Sequence, residues 1–298
     1  MQTSAAKLPP GGGMARLTPA LKALALASRT VDVVAPELAN RIMLHHFTRP
    51  RRKPDADYRL RLPPGVRRLA LRHRGAELAA WCWGGAGPAV LLVHGWEDHA
   101  GSMLPFVGPL LARGYRVFAL DLPGHGFSAR GATDLLDCSF ALEAATRALG
   151  PFESIVAHSF GATAACAMLA RAPQLQPARL VLLSPMRDLA QHLEVFASIA
   201  LLSPARRERL QRVVTLRLGA EAARLCTLQA VRTFAMPGLV VHDRDDPVIP
   251  HAVGASIARA WPTAALLSTE ALGHRRILRC PSVLEAVLRL HDGRTRDG

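Results

Sequence analysis

The sequence predicts an α/β fold, a mostly parallel β-sheet flanked by helices on both faces. Three observations carry this. Continuous apolar runs of strand length recur, in "AVLLVHGW", "YRVFALDLPG", "FESIVAHS", "ARLVLLSP" and "PGLVVHD", as expected of strands buried on both faces. Most of them alternate with helical patterns of about a dozen residues. Finally, 298 residues, half of them apolar, can bury a large core in one domain, and that length does not demand two.

Residues 1–17 contain "PPGGG" and read as a flexible tail. Thr18-Pro19 makes a good helix start, because a proline at the first helical position loses no needed N–H. Leu17, Leu21 and Leu24 keep helical spacing, so residues 18–47 predict one or two amphipathic helices broken near Pro36. "TRPRRKPDADYRLRLPPG", Thr48 to Gly65, is a polar, proline-marked linker. Residues 1–65 therefore form an N-terminal extension, and 66–298 the main domain. "RRLALRHR" and "AELAAWCW" predict two short strands around a turn at Gly75. Helices follow in "SMLPFVGPLLARG", "LDCSFALEAATRALG", "FGATAACAMLARA" and "PSVLEAVLRLHDG", and "TAALLSTE" is a last strand. Between "LVLLSP" and "PGLVVHD" the alternation breaks. Residues 186–233 are helical in pattern, with eight arginines against four acids, and predict a small basic cap.

The net charge is +14, and residues 1–75 hold 15 Lys or Arg against four acids. An Arg-rich solvated surface accounts for this bias. A peripheral contact of the amphipathic N-terminal segment with an anionic membrane stays open beside it. Nucleic-acid binding is not expected, since no recognised binding motif accompanies the charge. Five widely spaced cysteines without C-x-x-C suit reduced thiols in a cytoplasm. No apolar run reaches the roughly 18 residues of a transmembrane helix. H-E-x-x-H, P-loop and zinc patterns are missing, as is a G-x-G-x-x-G at a strand-to-helix turn, so neither metal nor nucleotide cofactor is expected.

In open parallel sheets, sites form beyond the carboxyl ends of the strands. Ser159 ends one apolar run and opens a helix, with the small residues Ala157 and Gly161 two positions either side. A nucleophile on such a tight turn needs small neighbours, and the helix N-terminus favours developing negative charge beside it. Serine also needs a base, and the base needs an acid to fix its tautomer. His274 in "EALGHRRIL" and Asp246 in "VVHDRDDPVIP" follow two other strands. Asp243 and Asp245 compete with Asp246 for the acid role. The backbone N–H groups of Phe160 and Trp96 are the expected oxyanion donors. His94 and His125 are read as shaping their loops, and His158 as packing beside the elbow.

With His94-Gly95, "DLPGHGFS", the elbow at Ser159, "DRDDPVIP" and "LGHRR" in this order, the chain from Arg67 to His291 resembles the α/β-hydrolase superfamily. In this superfamily the acid commonly stands four residues before a proline, so the resemblance implies Asp246, ahead of Pro250, for that role. Two departures are visible: Ala157 replaces the usual glycine, and Asp243 stands where glycine often follows the strand. The resemblance implies a cofactor-independent serine hydrolase acting on a small-molecule carboxylic ester or thioester, with the cap setting acyl size. The same triad could serve amide or carbon–carbon hydrolysis or perhydrolysis, and a non-catalytic binding protein on this fold is a further alternative.

Overall fold

The computed structural model describes residues 35–51 and 62–292. The chain divides into two compact units, Met1–Leu44 and His45–Gly298. A helix, α1 (Pro36–Thr48), begins at the proline where a break is predicted. Residues 1–34 and 52–61, including most of the predicted tail, first helix and linker, lie outside the described residues.

Eight strands form one sheet: β1 (Arg67–His73), β2 (Ala76–Trp83), β3 (Ala89–Val93), β4 (Arg116–Leu120), β5 (Ser154–His158), β6 (Arg179–Leu183), β7 (Gly238–Asp243) and β8 (Ala264–Thr269). Their spatial order is β1-β2-β4-β3-β5-β6-β7-β8. β1 and β2 pair antiparallel, β2 joins β4 antiparallel, and every later pairing is parallel. Burial follows position. β3 and β5 are buried at every residue, whereas the edge strands β1 and β8 are half exposed. On one face Val90, Leu92, Val156, Val181 and Val241 pack with Met103, Phe106, Leu110, Val283 and Val287. Full burial of each such side chain contributes about 1.5–3 kcal/mol.

The helix predicted in "SMLPFVGPLLARG" is two pieces, a 3₁₀ segment Ala100–Phe106 and a short α2 (Val107–Leu111). Pro105 lies inside the first piece and has no N–H to give to an α-helical ladder. Helix α3 (Leu135–Leu149) is capped by Asp134, whose side chain accepts from the Asp137 amide. Helix α4 (Phe160–Arg171) follows β5 directly, and its residues from Phe160 to Leu169 are all buried. Its small side chains permit close packing on the sheet. A Cβ on Gly161 would lie 2.2 Å from the His94 carbonyl oxygen and 2.8 Å from Val93 Cγ1. Gly161→Ala should therefore lower stability by about 2 kcal/mol in a denaturant titration. The overpacking cost of up to about 3 kcal/mol exceeds the roughly 1 kcal/mol gained in helix propensity.

The segment between β6 and β7 holds α5 (Leu189–Ile199), α6 (Pro204–Leu218), α7 (Glu221–Arg224) and α8 (Thr227–Ala230). Its two ends meet at an isolated bridge between Asp188 and Cys226. Thr163 of α4 anchors them: its hydroxyl donates to the Met186 carbonyl and accepts from the Thr227 hydroxyl. Between β7 and β8 the structure adds a helix that the sequence pattern does not reveal, α9 (His251–Ala260). Gly254 interrupts its pattern, yet a Cβ there would lie 2.4 Å from His242 Nδ1, so the helix needs glycine to reach β7. A short α10 (Gly273–Arg276) and α11 (Pro281–His291) follow β8.

Candidate active site

The carboxyl ends of β5, β7 and β8 bring three of the predicted residues together. Ser159 sits between β5 and α4 with φ 53° and ψ −121°. Such a backbone costs a non-glycine residue on the order of 1–3 kcal/mol and persists only where its surroundings enforce it. Here the Ser159 amide donates to Leu183 of β6, and the loop after β3 presses on the turn. A Cβ on Gly95 would lie 3.2 Å from Ser159 Cβ.

His274 Nε2 stands 3.0 Å from Ser159 Oγ, and His274 Nδ1 stands 2.7 Å from Asp246 Oδ2. Since the carboxylate can only accept, Nδ1 carries the proton and Nε2 accepts from the serine hydroxyl. The other oxygen, Asp246 Oδ1, accepts from the Val248 and Ile249 amides. His242 donates to the Ile249 carbonyl, and its Nε2 lies 3.5 Å from Asp246 Oδ2. Burial opposes ionisation of Asp246. Hydrogen bonds from His242 and His274, the His274 charge and the Ile249 amide nevertheless hold its carboxyl well below the usual range. Of the three acids in "DRDD", Asp246 is the one that meets the His274 ring. Asp243 and Asp245 bond elsewhere.

Trp96 and Phe160 come together on the other side of Ser159, their rings 4.9 Å apart. Neither backbone N–H has a hydrogen-bond partner among the described residues. Trp96 is followed by Glu97 at φ 51°. Arg51 fastens Glu97 by its own amide at 3.1 Å and by two guanidinium contacts at 2.9 Å. Arg51 lies in the predicted linker, and no motif marks it; the contact arises because the chain before β1 passes this loop.

His94, His125 and His158 hold the loops around the site. His94 Nδ1 donates to the Gly95 carbonyl, and its Nε2 accepts from the Leu122 amide, tying the loops after β3 and β4. His125 donates to the Pro123 carbonyl in its tight turn. His158 Nε2 donates to the His274 carbonyl at 2.9 Å, with the two rings 4.9 Å apart. Burial, reinforced by the His274 charge, pushes the His158 pKa down to about 3. Sequence reasoning missed His192. It reaches from α5 to rest on Trp96 and Phe160, at 5.2 and 4.9 Å between ring centres. Burial pushes its pKa down to about 3 as well, so it is neutral at pH 7.

No group of three His, Cys, Asp or Glu side chains among the described residues is arranged to hold a metal ion. None of the described helices is long and apolar enough to cross a membrane.

A model of the alpha/beta hydrolase family matches residues 90–287, about two thirds of the sequence. The chain belongs to the alpha/beta hydrolase family. Among known proteins it is similar to a pimeloyl-[acyl-carrier protein] methyl ester esterase of Xanthomonas campestris, 37% identical over 101 residues. That match covers 34% of this chain and spans 39% of the relative's length. A serine hydrolase-like protein of Danio rerio is 36% identical over 88 residues, or 29% of this chain and 23% of its own. Among solved structures, a membrane phospholipase A described as a bacterial virulence factor superposes with a TM-score of 0.60 at 19% identity. It covers 93% of this chain and 98% of its own. An esterase from Rhodococcus superposes at 0.57 with 19% identity, covering 77% and 98%. At such identities these two share the alpha/beta hydrolase fold.

Proposed function

We propose that this alpha/beta hydrolase is an esterase-type serine hydrolase that cleaves a carboxylic ester or thioester through an acyl-enzyme on Ser159. The observation that carries the reading is the continuous hydrogen-bonded chain from Ser159 Oγ through His274 to Asp246 at the sheet's carboxyl edge. In this reading Ser159 attacks the carbonyl carbon while His274 Nε2 takes its proton. The ionised Asp246 holds the Nδ1–H tautomer and stabilises the imidazolium that forms. The N–H groups of Trp96 and Phe160 receive the oxyanion, where the N-terminus of α4 adds its dipole. His274 then protonates the leaving alcohol or thiol, and a water activated by the same imidazole releases the acid. The methyl ester esterase named among the relatives supports an ester bond as the target.

Residues 186–233 act in this reading as a cap that sets acyl size. Thr163, four residues after Ser159, ties both ends of the segment to the elbow helix. Its arginines favour an anionic substrate. Residues 1–65 form an extension to the catalytic domain at 66–298.

A p-nitrophenyl ester series from acetate to long acyl chains, with a fluorophosphonate probe in parallel, tests the reading. Expected are turnover with a chain-length optimum, and stoichiometric labelling of Ser159 mapped by peptide mass. A fully folded protein that hydrolyses no ester or thioester and leaves Ser159 unlabelled would overturn it.

A further inference from the structure

Asp243 is the residue that departs from the glycine often found at the end of this strand, and its surroundings give the departure a purpose. It ends β7, in register with Thr269 at the end of β8. It is fully buried. Asp243 Oδ2 accepts from Thr269 Oγ1 at 2.7 Å and from the Leu272 amide at 3.1 Å. Asp243 Oδ1 accepts from the Gly273 amide at 2.9 Å and the Asp245 amide at 3.0 Å. Beside it, Asp245 Oδ2 accepts from the Ala271 amide at 2.8 Å. The three consecutive amides before His274 thus all point at carboxylates of the β7 loop.

The backbone is shaped for this. Ala271 and Gly273 are left-handed, at φ 57° and 63°, with right-handed Leu272 between them. Alternating conformations of that kind turn successive N–H groups inward and form a concave anion-binding nest. Here the anion comes from the chain itself. A glycine at position 243 would take the carboxylate from the partly buried Leu272 and Gly273 amides, a costly loss.

We propose that Asp243 is a positioning residue, the internal anion of a nest that fixes the backbone of His274 so that its ring reaches Ser159. It works through His274 and touches no substrate, and the inference rests on the reading of His274 as the general base. Asp246 and Asp243 thereby divide two tasks within one loop: Asp246 holds the imidazole, and Asp243 holds the turn that carries it. His158 adds a third hold at the His274 carbonyl.

The test compares wild type with Asp243→Gly, Asp243→Asn and Thr269→Val by ester kinetics and by hydrogen exchange resolved to residues 271–274. A misplacement of about 1 Å at a reacting group costs on the order of 100-fold. Asp243→Gly and Asp243→Asn should therefore lower kcat by about that factor while KM stays within threefold. Thr269→Val, which removes one of the four donors, should lower kcat about fivefold. Exchange at Ala271, Leu272 and Gly273 should quicken at least tenfold in the Asp243 variants, while amides of β3 and β5 keep wild-type rates. Wild-type kcat in Asp243→Gly, or unchanged exchange at 271–273, would overturn the proposal. So would faster exchange across the whole sheet, the sign of a merely structural role. Should both Asp243 variants fail to fold, Thr269→Val decides: kcat and local exchange equal to wild type would sink the idea. A wild-type protein inactive on every ester would count against the proposed activity, and the exchange pattern would still decide the role of Asp243.

Discussion

Ser159→Ala is expected to lower kcat for ester hydrolysis by a factor on the order of 10⁴ to 10⁶, with KM little changed. The magnitude follows from what the hydroxyl does. In the proposed mechanism its oxygen receives the acyl group, and its hydrogen bond to His274 Nε2 aligns the proton that must leave. Alanine keeps the volume and the left-handed elbow, so the oxyanion donors and any substrate-binding surface stay in place. That remainder accounts for the residual rate above water. Fold and chemistry separate cleanly, because the Ser159 amide, not its hydroxyl, bonds to Leu183. The melting temperature should accordingly move by no more than a few degrees. His274→Ala should cost a similar factor, and the double variant little more than either single one, since residues acting as a unit are not additive. Equal rates in wild type and Ser159→Ala would assign any detected activity to another group.

The sequence made the sheet and the three carboxyl-edge residues legible for one reason. Both depend on local pattern: continuous apolar runs mark central strands, and a reactive residue just past such a run lies at the carboxyl edge whatever the strand order. No local pattern chooses among Asp243, Asp245 and Asp246: the spacing to Pro250 enters only through the family resemblance, while the structure separates the three by which donors each one meets. The nest around Asp243 depends on the register of β7 with β8, which no single strand encodes. Helix α9 has no capping side chain at its start and carries a poor helix former at Gly254, where contact with His242 requires it. The hold of Arg51 on Glu97 joins positions 46 residues apart, a distance that no periodicity spans.

Acid should unfold this protein well before its carboxylates are neutralised. His125, His158 and His192 are buried, and burial brings each pKa down to about 3. In the unfolded chain each returns to about 6.5. As the pH falls from 7, the unfolded chain therefore takes up three protons that the folded chain refuses. Stability is fully present above about pH 6.5 and drains away as the pH drops towards the folded value. For three such groups the loss between pH 7 and pH 5 is about 6 kcal/mol. A typical domain has a total of only about 5–15 kcal/mol. His251 and His291 are also lowered by burial and push the same way. Asp246, held well below the usual carboxylate range, extends the loss to lower pH. Urea titrations at pH 7 and pH 5 measure the difference directly. His192→Phe sharpens the test, because a phenyl ring preserves the packing on Trp96 and Phe160 while removing one titrating group. That variant should lose about 2 kcal/mol less than wild type over the same interval. Identical pH dependence in the two proteins would show that His192 takes up its proton in the folded state and is not held neutral beneath α5.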